Sequence, residues 1–218
     1  MNIRLQKRFT NGLTLMNNFI WNKLIDRLAY LNDSDPAPDK RVSSDSRPVR
    51  EVLPSTYNLP IGRGLKVNLQ NRVLDSFVGG WQVSGILTLQ SGPVLTWGNY
   101  IYFGGPLTLN PHQPDGLAFD TTQFVTASAQ QLAGNIRTLN NQFNNLRRDM
   151  TKNLDMSMDK NFRFGEHRYV QIRIEGFNLP NRVGYGGPNL TSTSTAFGTI
   201  TSQANTPRRV ESAIKLVW

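Results

Sequence analysis

The stretch Asn153-Leu-Asp-Met-Ser-Met-Asp-Lys-Asn-Phe-Arg-Phe164 alternates over nearly its whole length. Leu154, Met156, Met158, Phe162 and Phe164 share one parity, and Asp155, Ser157, Asp159, Asn161 and Arg163 share the other. Successive side chains of a strand point to opposite faces, so a period of two encodes a strand with one apolar and one polar face. Soluble strands usually run to about 5 or 6 residues, whereas a tilted membrane strand needs about 9 to 11. The length here favours the second.

The pattern recurs. After a turn at Gly165-Glu166-His167, Val170, Ile172 and Ile174 alternate with Gln171, Arg173 and Glu175. Upstream, Ile3, Leu5 and Phe9 alternate with Arg4, Gln6 and Arg8, and Asn11-Gly12 is a strong hairpin signal. Leu13, Leu15, Phe19 and Trp21 follow at even spacing, interrupted by Asn17. A strand is expected over Glu51 to Leu59, weakened by Pro54, which cannot donate to a ladder. Trp81, Val83, Gly85, Leu87 and Leu89 give another, and the chain closes on a strand from Arg208. That makes seven.

The connections are unequal. Tight turns join the first hairpin and the 153–175 hairpin, a medium link covers Ile61 to Gly80, and long segments cover Asp26 to Arg50, Trp97 to Met150 and Pro180 to Pro207. Structureless loops longer than about 15 residues are uncommon in compact soluble domains. Short turns alternating with long loops are what a transmembrane barrel shows, with the turns periplasmic and the loops extracellular. Phe9, Trp21, Trp81, Trp97, Phe164, Tyr169 and Trp218 fall near expected strand ends, where aromatic girdles form. The last strand is expected to turn Val210, Ile214, Leu216 and Trp218 to lipid, with Ser212 a weak point, and Glu211 and Lys215 to a wet interior.

The formal charge of +9 comes from basic residues scattered along the chain rather than a dense stripe, and no nucleic-acid motif accompanies it. Nucleic acid is not an expected partner. With no cysteine there is neither a disulfide framework nor a thiolate site. No apolar run is long enough for a membrane-spanning helix, and the first residues alternate where a signal peptide would need an apolar core.

Nothing in the sequence assembles a catalytic set, so no enzymatic activity, metal or cofactor is expected. The two histidines, His112 and His167, sit in expected loops. Asp155, Asp159, Arg163, Arg173 and Glu175 share a polar face and are the lumen-facing candidates, expected to form a cross-strand ladder of opposite charges. Gly62-Arg-Gly64 lacks the strand-to-helix context of a phosphate loop. Gly184-Tyr-Gly-Gly187 reads as a flexible segment. Tyr100, Tyr102 and Phe103 are loop aromatics that either touch a cargo or pack on one another.

Several motifs, in order along the chain, resemble a known group. They are Leu5-Gln-Lys-Arg-Phe-Thr-Asn-Gly-Leu-Thr14, Leu59-Pro-Ile-Gly-Arg-Gly64, Gly79-Gly-Trp-Gln-Val-Ser-Gly-Ile-Leu-Thr-Leu-Gln-Ser-Gly92, Phe143-Asn-Asn-Leu-Arg147, Lys160-Asn-Phe-Arg-Phe-Gly165 and Glu175-Gly-Phe-Asn-Leu179. Together they resemble the last strands of TonB-dependent transporter-like proteins, in particular the Oar-like, carboxypeptidase-regulatory-domain-containing group abundant in Acidobacteria. The resemblance implies a large outer-membrane barrel filled by an N-terminal plug, powered through TonB-type coupling and taking up a large or scarce nutrient. It also implies lipid and the barrel-assembly machinery as partners, the latter reading the terminal aromatic. Pro180-Asn-Arg-Val183 departs from the group, which usually continues there with another aromatic.

The expectation is therefore an all-β, antiparallel transmembrane β-barrel fragment of about seven long strands, with short periplasmic turns and long extracellular loops. Residues 1–218 would form the C-terminal part of the barrel, without plug, coupling box or signal peptide, from a truncated gene, a split gene or a misplaced start codon. The alternatives are a self-contained or oligomerising structural barrel without transport, and a soluble β-sandwich that binds a partner.

Overall fold

A computed structural model describes residues 1–112, 116–132, 134–164 and 167–218. Seven long strands dominate it: β1 (Asn2–Arg8), β2 (Leu13–Trp21), β5 (Val49–Asn58), β6 (Gln82–Gln90), β9 (Thr151–Arg163), β10 (Tyr169–Phe177) and β11 (Arg209–Val217). Two-stranded pieces fill the links between them: β3 (Ile25–Asp26) with β4 (Arg41–Val42), and β7 (Val94–Thr96) with β8 (Gln142–Arg147). One helix, α1 (Arg72–Val78), precedes β6. The long strands pair antiparallel in chain order, β1-β2-β5-β6-β9-β10-β11, and the sheet is open at β1 and β11.

Register makes the sheet two-faced from edge to edge. Val170, Ile172, Ile174 and Gly176 of β10 oppose Leu216, Ile214, Ser212 and Val210 of β11. On the other side Val170, Ile174 and Gly176 oppose Phe162, Met158 and Met156 of β9. The row continues through Val83, Gly85 and Leu87 of β6, Tyr57, Ser55 and Leu53 of β5, Leu13 and Leu15 of β2, and Ile3 and Leu5 of β1. Opposed residues share a face, so a single apolar surface crosses all seven strands. The reverse face carries the arginines, aspartates, asparagines and threonines of the alternate positions. Tyr169, expected in the aromatic girdle, opposes Arg163 and lies on this polar face.

The expected strand interrupted by Pro54 forms, and its irregularity falls on one side only. Pro54 pairs with Ile86 of β6, whereas towards β2 the ladder omits Met16 and Asn17 and resumes in the same register at Asn18. The missing N–H thus costs the β2 ladder locally without shifting the faces. Four charged side chains stand on the apolar parity, namely Lys7, Glu51, Lys152 and Lys160. Lys152 is exposed at the loop end, opposite Leu89, and the other three have partners: Lys7 lies over the Phe9 ring, Glu51 accepts from Asn17 Nδ2 at 2.7 Å, and Lys160 is roofed by the α1 segment.

The chain-order meander puts links 9–12, 59–81 and 164–168 at one end, with Trp218, and links 22–48, 91–150 and 178–208 at the other. The first is the turn end and the second the loop end. All the long links expected to be extracellular are indeed on one side. The turn end is less uniform than expected, because 59–81 is a folded link that carries α1. Residues 165 and 166 of the expected Gly165-Glu166-His167 turn lie outside the described residues; Phe164 N–H donates to Arg168 O at 3.1 Å across it.

The hydrophobic core sits in the links at the loop end. Among the described residues the buried apolar side chains are Val94, Leu95, Trp97, Ala118, Phe119, Phe124, Leu146, Phe197 and Ile200, none of them in the seven long strands. Trp97 stacks on Phe124 with ring centroids 6.0 Å apart, and Phe119 and Phe197 meet these rings edge-on. Trp97 is therefore a core residue of a loop cap rather than a girdle residue at a strand end. The links are also tied together. Asn32 exchanges two hydrogen bonds with the Arg137 backbone (2.9 and 2.7 Å), Arg147 donates to Ser46 O at 2.8 Å, and Ala118 N–H donates to Gly198 O at 2.8 Å. A sandwich would bury one face of the sheet under a second sheet, and no second sheet covers this one among the described residues.

Candidate functional site

Where the cap meets the polar face of the wall, the links enclose an open cavity of about 800 Å³. Thr88 of β6, Asn153 and Asp155 of β9, Phe177 of β10 and Arg209 of β11 form its floor. Asp149, Arg182, Tyr185, Asn205 and Arg208 form its walls. The floor is assembled by the alternation of the strands, and the walls by a clamp that begins at Asp155.

Asp155 accepts from the Asn153 side chain and from the backbone N–H of Asn178, both at 2.8 Å. Asn178 takes a left-handed conformation (φ 47°), which asparagine tolerates better than most residues. Its buried side chain donates to Arg182 O at 2.9 Å and Thr206 O at 3.0 Å and accepts from Arg182 N at 3.0 Å. One amide thus fastens both ends of the link between β10 and β11. Asn181, also left-handed (φ 53°), accepts from Arg208 N at 2.9 Å. Pro180-Asn-Arg-Val183, the stretch that departs from the resembled group, is a built connection here.

Beside this clamp the structure gathers a polar cluster that the spacing of the residues does not announce. The Asp149 side chain is buried, accepts from Tyr185 N–H at 3.2 Å, and lies 3.7 Å from Arg182 Nη2 and 3.5 Å from His112 Nε2. His112 also touches Arg182 at 2.6 Å and packs edge-on against Tyr185. A histidine expected in a loop is therefore part of a polar knot holding three distant stretches together. Gly184-Tyr-Gly-Gly187 is likewise packed rather than loose: a Cβ on Gly186 would overlap Ser202 Oγ, and one on Gly187 would lie 2.9 Å from Arg148 Nε.

The five lumen candidates share the polar face but do not converge. Asp155 reaches the cavity, whereas Arg163 lies eight residues further along β9, about 26 Å at the usual rise per residue. Asp159 stands opposite Gln82 and Arg173. The expected cross-strand ladder of opposite charges is replaced by pairs along each strand: Arg173 to Glu175 at 2.7 Å and Arg209 to Glu211 at 2.8 Å. Between β10 and β11 register explains this. Glu175 and Glu211 are directly opposed, so each carboxylate turns to the arginine two positions away on its own strand. Arg209 additionally lies over the Phe177 ring at 5.1 Å.

The cap contains a smaller cavity of about 400 Å³ among Trp97, Tyr100, Phe124, Ile136, Arg137 and Leu139. Burial pushes the Tyr100 hydroxyl up from its ordinary pKa, partly offset by the Gly98 backbone and by the Arg137 charge. The hydroxyl donates to Leu190 O, and Arg137 Nη2 donates to Trp97 O at 2.7 Å. Of the loop aromatics singled out from the sequence, Tyr100 and Tyr102 pack against the cap core, and Phe103 stays exposed. Among the described residues no group of three or more histidine, cysteine or carboxylate side chains is arranged to hold a metal ion.

An open antiparallel wall with one apolar and one polar face, long links gathered at one end and no apolar core beneath it is the architecture of a membrane β-barrel wall. The chain belongs to the outer membrane beta barrel domain family, whose model matches residues 1–211. Its location is accordingly the bacterial outer membrane. No curated protein and no solved structure matches the chain.

Proposed function

We propose that the chain is the C-terminal part of an outer-membrane transporter or receptor of the TonB-dependent, Oar-like type, acting in uptake of a large or scarce nutrient rather than as an enzyme. The observation that supports this best is the wall itself, seven ordered strands with unpaired edges at β1 and β11. Unpaired backbone groups cannot face hydrocarbon, so in a bilayer both edges must meet further strands. In this reading the remaining strands and a plug come from an N-terminal portion, and energy coupling acts through that whole protein.

Val210, Ile214, Leu216 and Trp218 then face lipid, and Asp155, Asp159, Arg163, Arg173 and Glu175 face the lumen. The barrel-assembly machinery would engage the last strand, β11, which ends in an aromatic. The cavity between cap and polar face lies at the mouth of such a lumen, where an incoming solute would first meet Arg182, Arg208 and Arg209.

Sequencing the DNA upstream of the codon for Met1, in all frames, tests the assignment. Further strands, a plug and an export signal in frame support it. Unrelated upstream sequence removes the transport assignment and leaves a wall that must close by assembling with other copies.

A further inference from the structure

The turn-end link 59–81 carries more exposed apolar surface than a periplasmic connection needs. In α1, Val73, Leu74, Phe77 and Val78 fall at i, i+1, i+4 and i+5, which is one face of a helix. All four are exposed, as are Leu65 and Val67 earlier in the link. Seven residues are too few to hold a helix alone. Local contacts fix it instead: Asn71 caps it by accepting from Val73 and Leu74 N–H at 2.9 and 3.2 Å, and Trp81 Nε1 donates to Phe77 O at 2.9 Å.

The place where α1 is docked decides what its open face meets. Phe77 packs edge-on against Phe162, which lies on the apolar face of β9. Lys160, on the same face and only 5% exposed, donates to Asp75 O at 3.4 Å and to Gly79 O at the helix end. The helix is thus laid on the outside of the wall, on the surface that faces lipid in the reading proposed above, and its remaining apolar side chains extend that surface sideways. The link also carries Arg63, Lys66 and Arg72 against the single acid Asp75. An apolar helix face flanked by basic residues at the edge of an apolar band matches an interfacial helix.

We infer that α1 is a membrane-interface anchor that lies in the headgroup–acyl boundary of the phospholipid leaflet next to the turn end, with Val73 and Phe77 in the acyl region and Arg63, Lys66 and Arg72 near lipid phosphates. The inference rests on the apolar face being lipid-facing. Lys160 has a positioning role: its ammonium would be an isolated charge on that face, and the carbonyls at the end of α1 satisfy it and hold the helix down.

The absence of cysteine makes the test direct. Val73→Cys, Phe77→Cys, Ile214→Cys and Gln130→Cys, the last in the loop cap, are each labelled with an environment-sensitive fluorophore. The membrane-assembled full chain is placed in phosphatidylethanolamine/phosphatidylglycerol vesicles carrying spin-labelled acyl chains. Labels at 73 and 77 are expected to be quenched several-fold more than the label at 130. Strong quenching at 214 with water-like behaviour at both 73 and 77 would overturn the anchor while leaving the lipid-facing wall intact. Water-like behaviour at 73, 77 and 214 alike would overturn both. Val73 is 67% exposed, so Val73→Cys keeps the test decisive where Phe77→Cys loosens the helix.

Discussion

Ile214→Arg measures whether the alternation of β11 is an alternation between solvents. Ile214 opposes Ile172 on the apolar face and stands four residues before Trp218. At about 3.3 Å per residue and a tilt of about 45°, it lies roughly 9 Å above the level of Trp218. In an apolar band about 25 Å tall with Trp218 at its boundary, that is within a few ångströms of the midplane, where arginine costs about 2–4 kcal/mol. Leu216 is only about 5 Å from the same boundary, and Val210 is about 6 Å from the opposite one, so arginine there should cost about 1 kcal/mol or less by the same depth dependence. On the polar face, Lys215→Ser and Ala213→Gln should change little. Urea titration of the lipid-assembled protein, read by tryptophan fluorescence, gives the ranking. Equal losses at 214 and 215, or a loss at 216 as large as at 214, would refute the face assignment or the depth scale.

Other perturbations separate the cap from the wall. Phe124→Ala removes the ring shared by Trp97, Tyr100, Tyr102, Phe119 and Phe197, and should destabilise the cap by about 3–5 kcal/mol; limited proteolysis should then cut links 91–150 and 178–208 while the strands stay protected. Gly92→Ala would place a Cβ 2.1 Å from Arg148 O and 2.6 Å from Asp149 O, backbone atoms with nowhere to move, so a loss of about 1–3 kcal/mol or more is expected in the same titration. Asp149→Ala strips the acceptor from Tyr185 N–H and leaves Arg182 without its carboxylate, a cost of about 1–3 kcal/mol that Asp149→Asn should partly restore. Lys160→Ala should speed hydrogen exchange in α1, which native-state exchange mass spectrometry reads on the peptide spanning 71–81.

The wall was readable from the sequence because a period of two survives in each of its seven strands, and register then carries a face from one strand to the next. Parity corrects the expectation at single positions. Tyr169 is expected in the girdle from its nearness to a strand end, yet it lies one position from Val170 and so falls on the opposite face. Lys160 interrupts an apolar row, and only its contact with Gly79, far away in sequence, explains its presence. The cap was unreadable for a different reason. Trp97, Phe119, Phe124 and Phe197 meet from separate parts of two links with no common spacing, and a core of that kind leaves no periodic trace. Of the candidate site, Asp155 was visible as a polar-face residue, whereas Asp149, His112 and Arg182 come together only through the fold of those links.

The ties among the three long links bear on how the wall can deform. Closing a sheet into a barrel fixes a stagger between neighbouring strands. Here the strands that emerge at the loop end are all rooted in one plate, through Asn32 with Arg137, Ser46 with Arg147, and Ala118 with Gly198. Sliding one strand along its neighbour would tear that plate, whereas spreading the strands at the opposite end disturbs only two short turns and the α1 link. The loop end is thus the stiff rim of the structure, and any breathing of the wall is concentrated at the rim where α1 lies.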